Sequence, residues 1–509
     1  MVVDFDLFSF GLLFKIILGL VSLVVVTALF LFFKFYVWTQ IKMKHYKKQG
    51  ASCYFFPMIG HFHKMIGAFE EHGDFYYYSK RKARDDPDRI MCSNMAGSPY
   101  ILLHDPALIK EFCLNTDNYV KEPLILDLFA YLLGVGLVIV EGNQWKTQKK
   151  MLSSSFHFEF LNSILPNIQK LAFQRFSDLG KDPLKDVDIM TMMQNISGEI
   201  VGKLFFGDEL DNYRFEGKKL TDALSDLITE AFTSGETSER YILGLWLTRL
   251  IPKHRRMINK IYKFRNACIG FVEERKKVLE QNKGKKDMVQ ILLEYDGEGG
   301  KITESNVVDQ FISFFLPGLD TSGHLLTMSI YYMAKYPEFK TKIEEEVEKY
   351  YTQGKPITIE ELNKFDYTTA FLKEVLRTSS PLNDMFARRA VRDHMIKDIH
   401  IKKGDVLNVD YYYNNYNPEY FKNPDEFDPQ RWLSKEKGLD PYVFTPFSAG
   451  PRSCIGQHLA MNEVKVILCE LLKMFDFKLK EGYVLKMTVR FLYGPAEPIL
   501  LDMTPKSSK

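Results

Sequence analysis

The hydrophobic and polar positions divide the chain into one long apolar run followed by many amphipathic segments. Ile16 to Phe33 comprises eighteen residues without a charged side chain. A helix of that length spans roughly 27 Å at a rise of about 1.5 Å per residue, close to the hydrocarbon thickness of a bilayer. Beyond it, apolar residues recur three and four positions apart, as in helices that bury one face. The pattern therefore predicts one transmembrane helix in front of a mainly helical domain.

The charges that flank the apolar run predict its orientation. Lysines dominate on its C-terminal side, and they are Lys34, Lys42, Lys44, Lys47 and Lys48, against Asp4, Asp6 and Lys15 on the other side. By the positive-inside rule, the bulk of the chain then faces the cytosol. A cleaved signal peptide is the alternative, but the run is longer than a typical signal core and no small-residue cleavage site follows it. An anchor of this kind without other targeting signals fits the endoplasmic reticulum membrane.

We expect three parts in the chain and only small β-sheets. Residues 1–37 are predicted to be the membrane anchor, 38–60 a linker, and 61–509 one single domain. A β-branched and aromatic run from Arg89 to Leu103 suggests a short hairpin. A strand followed by a turn is indicated at Ile401–Gly404. The predicted fold class is therefore mainly α with small β-sheets.

One long helical pattern contains residues that disfavour a helix. Thr303 can cap a helix that runs to about Ala334. Pro317 donates no hydrogen bond to the preceding turn, and with Gly318 it should kink the axis. An Asp-Thr pair, Asp320-Thr321, follows directly. The simplest interpretation is a bent core helix in which the threonine hydroxyl bonds back to its own backbone.

Composition narrows the functional classes without selecting one. The chain has 509 residues, 46% of them hydrophobic, so it can bury a large core. A formal net charge of +2 gives no global attraction to nucleic acid. The six cysteines are scattered, without paired zinc spacing or a disulfide-dense cluster, which favours a reducing compartment. No internal repeat, phosphate loop or Gly-x-Ser-x-Gly elbow indicates another chemistry.

One cysteine lies in a loop that suits a ligand. Cys454 follows a glycine- and proline-rich stretch and precedes an amphipathic helical pattern. Unpaired N–H groups and the helix dipole favour a thiolate there, and a thiolate is an anionic metal ligand. The flanking glycines allow close approach of a flat group, and Arg452 can reach a carboxylate on it. The alternative is a buried free cysteine that acts as a small hydrophobe.

This loop resembles the haem-binding loop of cytochrome P450 enzymes. The residues that fit its pattern, Phe-x-x-Gly-x-Arg-x-Cys-x-Gly, are Phe447, Gly450, Arg452, Cys454 and Gly456. The resemblance implies the cytochrome P450 fold behind one transmembrane helix, with the Cys454 thiolate as axial ligand of haem b. It also implies that these loop residues bind the cofactor.

Three further motifs carry the resemblance along the chain. Trp145 and Lys149 have the spacing of the family's Trp and Arg/Lys contact to a haem propionate. Gly318, Asp320 and Thr321 match its oxygen-activating turn, where the acid and the alcohol relay protons. Pro317 replaces the small residue of that pattern. The pocket that receives the substrate would then lie around residues 121–140, the region of Ile242, and residues 382–386.

The last motif is structural. Glu374-x-x-Arg377 places opposite charges three apart on one helical face, and Arg431 belongs to a later Pro/Phe-rich segment. In the family these three side chains form a buried triad that fixes the fold around the haem loop. Either Arg388 or Arg389 is implied to reach the other propionate, with Arg388 slightly favoured.

The resemblance implies a monooxygenase that inserts one atom of O2 into an apolar small molecule. Electrons would come from an NADPH-cytochrome P450 reductase-like flavoprotein, because the chain has no flavin or nicotinamide fingerprint. Its docking surface would include Lys146, Lys150 and Lys465, although a solvated basic face explains them equally well. The enzyme would be a single-pass protein in contact with membrane lipid, with no nucleic-acid partner. Two alternatives are a haem-thiolate isomerase or dehydratase acting on peroxides, and a non-catalytic haem sensor.

Overall fold

The computed structural model describes most of the chain. The described residues are 7–123, 130–153, 156–207, 210, 212–233, 247–281, 288–294, 303–383, 387–433, 438–490 and 492–506. Parts of the predicted pocket segments, at 124–129, 242–246 and 384–386, lie outside these residues. The predicted fold class, mainly α with small sheets, is confirmed.

Helices make up most of the described structure, because amphipathic segments pack their apolar faces around one large apolar core. In chain order they are α1 (Leu7–Phe32), α2 (Thr39–Lys47), α3 (Phe62–His72), α4 (Tyr77–Asp85), α5 (Pro106–Leu114), α6 (Gly142–Ser153), α7 (Phe158–Ser177), α8 (Ile189–Phe206), α9 (Leu220–Thr233), α10 (Pro252–Gln281), α11 (Met288–Glu294), α12 (Glu304–Pro317), α13 (Gly323–Lys335), α14 (Pro337–Tyr350), α15 (Ile359–Leu362), α16 (Asp366–Ser379), α17 (Tyr411–Asn415) and α18 (Gln457–Met474).

The strands are short and form several small sheets. They are β1 (Ser52–Cys53), β2 (Ile90–Met95), β3 (Ser98–Leu103), β4 (Tyr119–Lys121), β5 (Leu184–Asp188), β6 (Arg214–Phe215), β7 (Lys218–Lys219), β8 (Arg388–Ala390), β9 (His394–Ile396), β10 (Ile399–Ile401), β11 (Val406–Val409), β12 (Phe475–Leu479), β13 (Met487–Val489), β14 (Tyr493–Pro495) and β15 (Leu500–Pro505).

The largest sheet has the strand order β1-β2-β3-β11-β8-β4. Its β2–β3 hairpin pairs Ile90 with Leu103, within the β-branched and aromatic run that predicts a hairpin. The described chain adds a three-stranded sheet, β12-β15-β5, and the pairs β9–β10, β13–β14 and β6–β7. β15, near the C-terminus, therefore pairs with β5, which lies more than three hundred residues earlier in the chain.

The long helical segment is interrupted where its sequence disfavours a regular helix. The Thr303 hydroxyl accepts from the Asn306 amide in a capping box, as expected for the first turn. After Pro317 the helix widens into a π turn, Gly318–Ser322, before α13 continues it. A Cβ at Gly318 would lie 2.8 Å from Val201 of α8, so glycine allows the close packing there. The predicted kink thus takes the form of a π turn.

The buried ion pairs of Glu374 join α16 to the segment that precedes the cysteine loop. Arg377 donates to both Glu374 oxygens, at 2.9 and 2.7 Å, and Arg431 donates to Oε1 at 3.0 Å. The Trp432 indole donates to Oε2 at 2.8 Å. Burial alone would raise the pKa of Glu374, but the Arg377 hydrogen bonds and the two positive charges hold it below its usual value. The carboxylate stays charged because its partners surround it.

We expect Glu374→Ala to lower the free energy of unfolding by about 3–5 kcal/mol, because Arg377 would be left buried without its counter-ion. The change would be measured by urea unfolding followed by circular dichroism. Glu345→Ala removes an exposed glutamate and should cost less than about 0.5 kcal/mol. Equal effects of the two substitutions would contradict a stabilising role for the triad.

Candidate active site

A central cavity of about 340 Å³ lies between the π turn of the long helical segment and the cysteine loop. That volume is within the range of small-molecule sites, roughly 300–1,000 Å³. Apolar side chains form much of its wall, and they include Leu133, Leu137, Val138, Phe156, Val201, Phe205, Phe314, Leu316, Leu325 and Leu376. Three of the phenylalanine rings stack, with the Phe156 and Phe314 centroids 5.5 Å apart and Phe205 beside both. The cavity suits an apolar ligand.

The cysteine loop forms one wall of this cavity. Gly450 has a positive φ of 71°, and a Cβ there would lie 2.8 Å from the Cys113 carbonyl oxygen. Glycine therefore lets the loop pack against α5. The Cys454 amide donates to the Phe447 carbonyl at 2.9 Å, which closes the loop beneath the cavity. Gly456 caps α18, and Cys454 lies three residues before the first residue of that helix.

The Cys454 thiol lines the cavity and is exposed to its open space, although protein atoms surround the sulfur on its other sides. Burial raises its pKa, while a hydrogen bond from the Gly456 amide lowers it. The helix N-terminus alone therefore does not make the sulfur a thiolate. A metal cation would, because a coordinating thiol loses its proton. The environment fits a ligand that brings its own positive charge.

Cations line the side of the cavity next to the loop. The Arg452 guanidinium lies 3.9 Å from the Trp145 ring centroid and donates to the Val140 carbonyl at 3.0 Å. The Lys149 ammonium lies 5.4 Å from the same ring and donates to the Pro451 carbonyl. Burial and then the charge of Arg452 lower the pKa of Lys149. The structure thus brings Trp145, Lys149 and Arg452 together at one point.

Strand alternation separates the two candidate arginines of β8. Arg388 lines the cavity, with its guanidinium 4.8 Å from the Phe112 ring centroid. Arg389 instead pairs with Glu122 at 2.7 Å and donates to the Gly404 carbonyl at 2.8 Å. Successive side chains of a strand point to opposite faces. Arg388 is therefore the one beside the cavity.

Lys121 is a further cation that sequence reasoning named only as a pocket boundary. Burial lowers its pKa to about 8, and the charges of Arg452 and Arg388 add to this against the opposing effect of Glu141. Its ammonium lies 3.8 Å from Glu141, whose other oxygen pairs with Arg452. Glu141 was missed, because a lone acid after an apolar stretch carries no signal of its partners.

These residues fit haem. Arg388, Arg452, Lys121 and Lys149 all line the cavity, and Glu141 is the carboxylate that pairs with two of them. Burial is the main cause of the lowered pKa values of Lys121, Lys149 and Arg452, and repulsion from neighbouring positive charges adds to it. Two propionates would relieve that repulsion, and the sulfur of Cys454 would ligate the iron.

The opposite wall is the π turn. Pro317, Gly318, Thr321 and Ser322 line the cavity. The Thr321 hydroxyl donates to the Pro317 carbonyl at 2.7 Å, which is the bond to its own helix backbone that the sequence predicts. Asp320 lies on the other side of the turn, where its Oδ1 accepts from Gln194 of α8 at 3.2 Å. The turn therefore separates the alcohol from the acid.

Two buried carboxyl groups adjoin the π turn. Burial raises the pKa of Asp320 to about 7. It raises that of Glu463 to about 8, against the hydrogen bonds from Ser197 and Ser322. Ser197 Oγ lies 2.7 Å from Glu463 Oε1 and 3.1 Å from the Gly318 carbonyl. Glu463 lines the cavity, but sequence reasoning missed it, because it lies on the apolar face of α18.

The predicted docking surface is only partly exposed. Lys146 and Lys150 are exposed on α6. Lys465 is buried, and its ammonium donates to the Leu362 carbonyl at 3.0 Å. The prediction that Lys465 contributes to this surface is wrong, because its position on α18 faces α15 rather than solvent.

Comparisons with known proteins agree with this geometry. The sequence profile of the family described as "Cytochrome P450" matches residues 53–501. "Cytochrome P450 4V2" of Mus musculus is 27% identical over 389 residues, which cover 72% of each chain. "Cytochrome P450 4c21" of Blattella germanica is 26% identical over 431 residues, 79% of this chain and 83% of that protein.

A solved structure shares the fold. The structure titled "Crystal structure of cytochrome P450DA heme domain" superimposes with a TM-score of 0.73. The match covers 90% of this chain and 98% of that chain at 20% identity. The arrangement of helices and small sheets is thus that of this structure.

We expect Glu463 to make the protein less stable as the pH rises. Its pKa of about 8 lies above the unfolded value of about 4.5, so folding takes up a proton between these pH values. Its contribution to the free energy of unfolding should therefore be fully present below pH 4.5 and lost as the pH rises through 8. Urea unfolding at pH 6 and pH 9 would measure it.

Glu463→Gln should reduce this fall in stability between the two pH values, because a neutral amide does not titrate. Asp320→Asn should also reduce it, because the Asp320 carboxyl in the π turn has a pKa of about 7. The same pH dependence in wild type and Glu463→Gln would show that the carboxyl is charged throughout.

Proposed function

The chain belongs to the cytochrome P450 family and is a haem-dependent monooxygenase, and from this premise we propose that Cys454 holds the iron of haem b in an enzyme anchored in the endoplasmic reticulum membrane. The observation that carries the cofactor assignment is the Cys454 sulfur at the wall of a cavity bordered by four cations. Residues 1–37 are the anchor and residues 61–509 one catalytic domain.

The chain's cations orient the cofactor. Arg452 and Arg388 are the partners of the two propionates, and Lys149 adds a point charge beside Arg452. Trp145 keeps the Arg452 guanidinium in place, since the ring centroid is only 3.9 Å away. Lys121 lies next to the same group through Glu141. Phe447, Gly450 and Gly456 allow the loop to approach the ring closely.

Bound haem supplies the reductive activation of O2 and the transfer of one oxygen atom to a C–H bond. The chain's own contribution is to deliver protons and exclude water. Thr321 lines the cavity, and its hydroxyl can donate there once it turns away from the Pro317 carbonyl, while Asp320 holds a proton behind the turn near neutral pH. Glu463 holds a second proton, hydrogen bonded to Ser322 in the same turn. The separation of Thr321 from Asp320 requires water or a side-chain rotation to connect them.

The substrate is an apolar small molecule. Phe156, Phe205 and Phe314 give the cavity a stacked aromatic wall, and Leu133 and Leu137 also line it. Burying such surfaces is favourable by about 25 cal/mol per Å². An apolar occupant therefore displaces water from the cavity and leaves the polar groups of the π turn as the local proton donors.

The electrons come from an NADPH-dependent flavoprotein that docks beside the cysteine loop. Lys146 and Lys150 on α6 are exposed and near Lys149, whose side chain reaches Pro451 of the loop. Such a basic face suits an acidic partner. The helix long and apolar enough to cross a membrane, with its lysines on the C-terminal side, supports a single pass with the domain in the cytosol.

The assignment is tested by the visible spectrum of the reduced protein under carbon monoxide. Wild type should show the red-shifted absorbance of thiolate ligation, and Cys454→Ser should lose it while retaining its circular dichroism. Cys113→Ser, a buried cysteine close to the same loop, is the matched control and should keep it. Thiolate absorbance that persists in Cys454→Ser would refute the ligand assignment.

Turnover separates the monooxygenase from the two alternatives. With an added reductase, compounds that shift the ferric spectrum should drive NADPH oxidation and appear as products carrying one additional oxygen. Conversion of a peroxide without NADPH would indicate an isomerase instead, and binding without any turnover would indicate a sensor.

Thr321→Ala should lower product formation by roughly 100-fold, the lower end of the effect of a positioned acid. NADPH oxidation should continue and release hydrogen peroxide, because reduction does not need the hydroxyl. Thr321→Ser keeps a hydroxyl at the same position and should retain most of the product. Full product yield from Thr321→Ala would show that the alcohol is dispensable.

A further inference from the structure

The N-terminal helix continues beyond its apolar residues. α1 passes through a π turn, Phe33–Trp38, directly into α2 without an interruption of the helical backbone. The Thr39 hydroxyl donates to the Lys34 carbonyl at 3.0 Å across this turn. The region expected to be a linker, 38–60, therefore begins with a helix that continues the apolar one. A rotation at this point would break backbone hydrogen bonds.

One face of α2 is part of the core of the main sheet. Thr39 and Tyr46 are fully buried, and Met43 is 4% exposed. Met43 and Tyr46 share a hydrophobic cluster with β2, β3 and the β9–β10 hairpin, through Ile90, Ile101, Ile396, Ile399 and Ile401. Residues at a spacing of three and four occupy one face of a helix, so this face is continuous.

Polar contacts fix the register of α2 on the sheet. The Tyr46 hydroxyl donates to Asp405 Oδ2 at 2.6 Å, in a site where both side chains are buried. Gln49 Oε1 accepts from the His400 amide at 2.6 Å, and its Nε2 donates to the His400 carbonyl at 3.3 Å. His45 Nε2 also lies 2.9 Å from that carbonyl. A slide of α2 by one turn would leave these groups without partners.

Contacts with the domain also occur N-terminal to α2, in the π turn that follows α1. Phe35 in the π turn packs against Gly97 of the β2–β3 hairpin, where a Cβ would lie 2.9 Å from its ring. Tyr36 meets Phe55 edge to face, with the ring centroids 5.3 Å apart. The opposite face of the helix is exposed at Ile41, Lys44 and Lys47. The helix is thus held on one side only, from residue 35 to residue 49.

We propose that residues 39–51 are a rigid connection, called the strut below, between the catalytic domain and its own membrane span. The domain binds one face of the strut and therefore takes a fixed orientation on the lipid bilayer. This rests on the proposed membrane anchoring. At a helical rise of about 1.5 Å per residue, the helical part of the strut, α2, is roughly 14 Å long. The catalytic domain, with its main sheet and its cavity, then keeps a constant angle to the membrane span.

Hydrogen exchange of the full-length protein in bilayer nanodiscs tests the docking. In wild type, the amides of residues 40–49 and 396–405 should exchange slowly and together. Met43→Ala should accelerate both segments by about tenfold or more, because it removes buried apolar surface that the helix and the hairpin share. Ile41→Ala, on the exposed face of the same helix, is the matched control and should change neither.

Acceleration of the helix alone in Met43→Ala would overturn the proposal, and so would equal exchange rates in Met43→Ala and Ile41→Ala. Tyr46→Phe keeps the ring and removes the hydroxyl. It should accelerate residues 402–405, because Asp405 loses a buried donor. This measurement depends on neither haem nor turnover.

Orientation is tested by inserting Gly-Ser repeats between Trp38 and Thr39, which uncouples the strut from the span and leaves its docking face intact. The readout is single-molecule energy transfer between a donor on the C-terminus and acceptor-labelled lipid. The insertion should widen the distance distribution by about twofold, as a flexible linker would. The same insertion between Gly438 and Leu439, an exposed site, should leave it unchanged.

Equal distributions in wild type and in the Trp38–Thr39 insertion would overturn the fixed orientation. Failure of the wild type to float with liposomes would instead overturn the membrane anchoring of the proposed function. The two failures are distinct, since the exchange measurement on the strut can be repeated in detergent.

Discussion

The buried carboxylate of Glu374 is the interaction on which the site depends. Its two oxygens accept from Arg377, Arg431 and Trp432, and from the Asp428 amide at 2.9 Å. Arg377 in turn donates to the carbonyls of Asn415, Pro424 and Glu426, at 2.8 to 3.0 Å. One charge thus organises the irregular chain between α17 and the cysteine loop.

The network reaches the loop through aromatic contacts. Trp432 lies 4.6 Å from the Phe444 ring, only a few residues before Phe447 and Cys454. Moving two charges into the interior costs several kcal/mol per ion, and a buried pair recovers this only when its hydrogen bonds are complete. The network has this completeness, so it fixes the loop's position more than it adds net stability.

The sequence predicted those features that depend on local chemistry. The fold class, the Thr303 cap and the break after Pro317 follow from periodicity, side-chain capping and the missing proline N–H. The family resemblance added the residues of the cysteine loop. Features decided by packing between distant elements were not predictable: the burial of Lys465 against α15, the hydrogen bonds of Glu463 with Ser197 and Ser322, and the direction of Asp320. A helical pattern shows which face is apolar, but not which helix covers each polar residue on that face.

The π turn at Gly318–Ser322 has a consequence for the numbering of helical faces. A π turn holds about 4.4 residues where an α turn holds 3.6, so the segment beyond it is rotated relative to the segment before it. An apolar stripe counted from Val307 at constant period therefore drifts out of phase past Ser322. If the chain were aligned without a gap to a protein whose helix is straight here, every side chain from Gly323 onward would be placed on the wrong face of the helix. Deletion of a single residue within the turn would realign the two halves, because it removes the extra residue of the π turn.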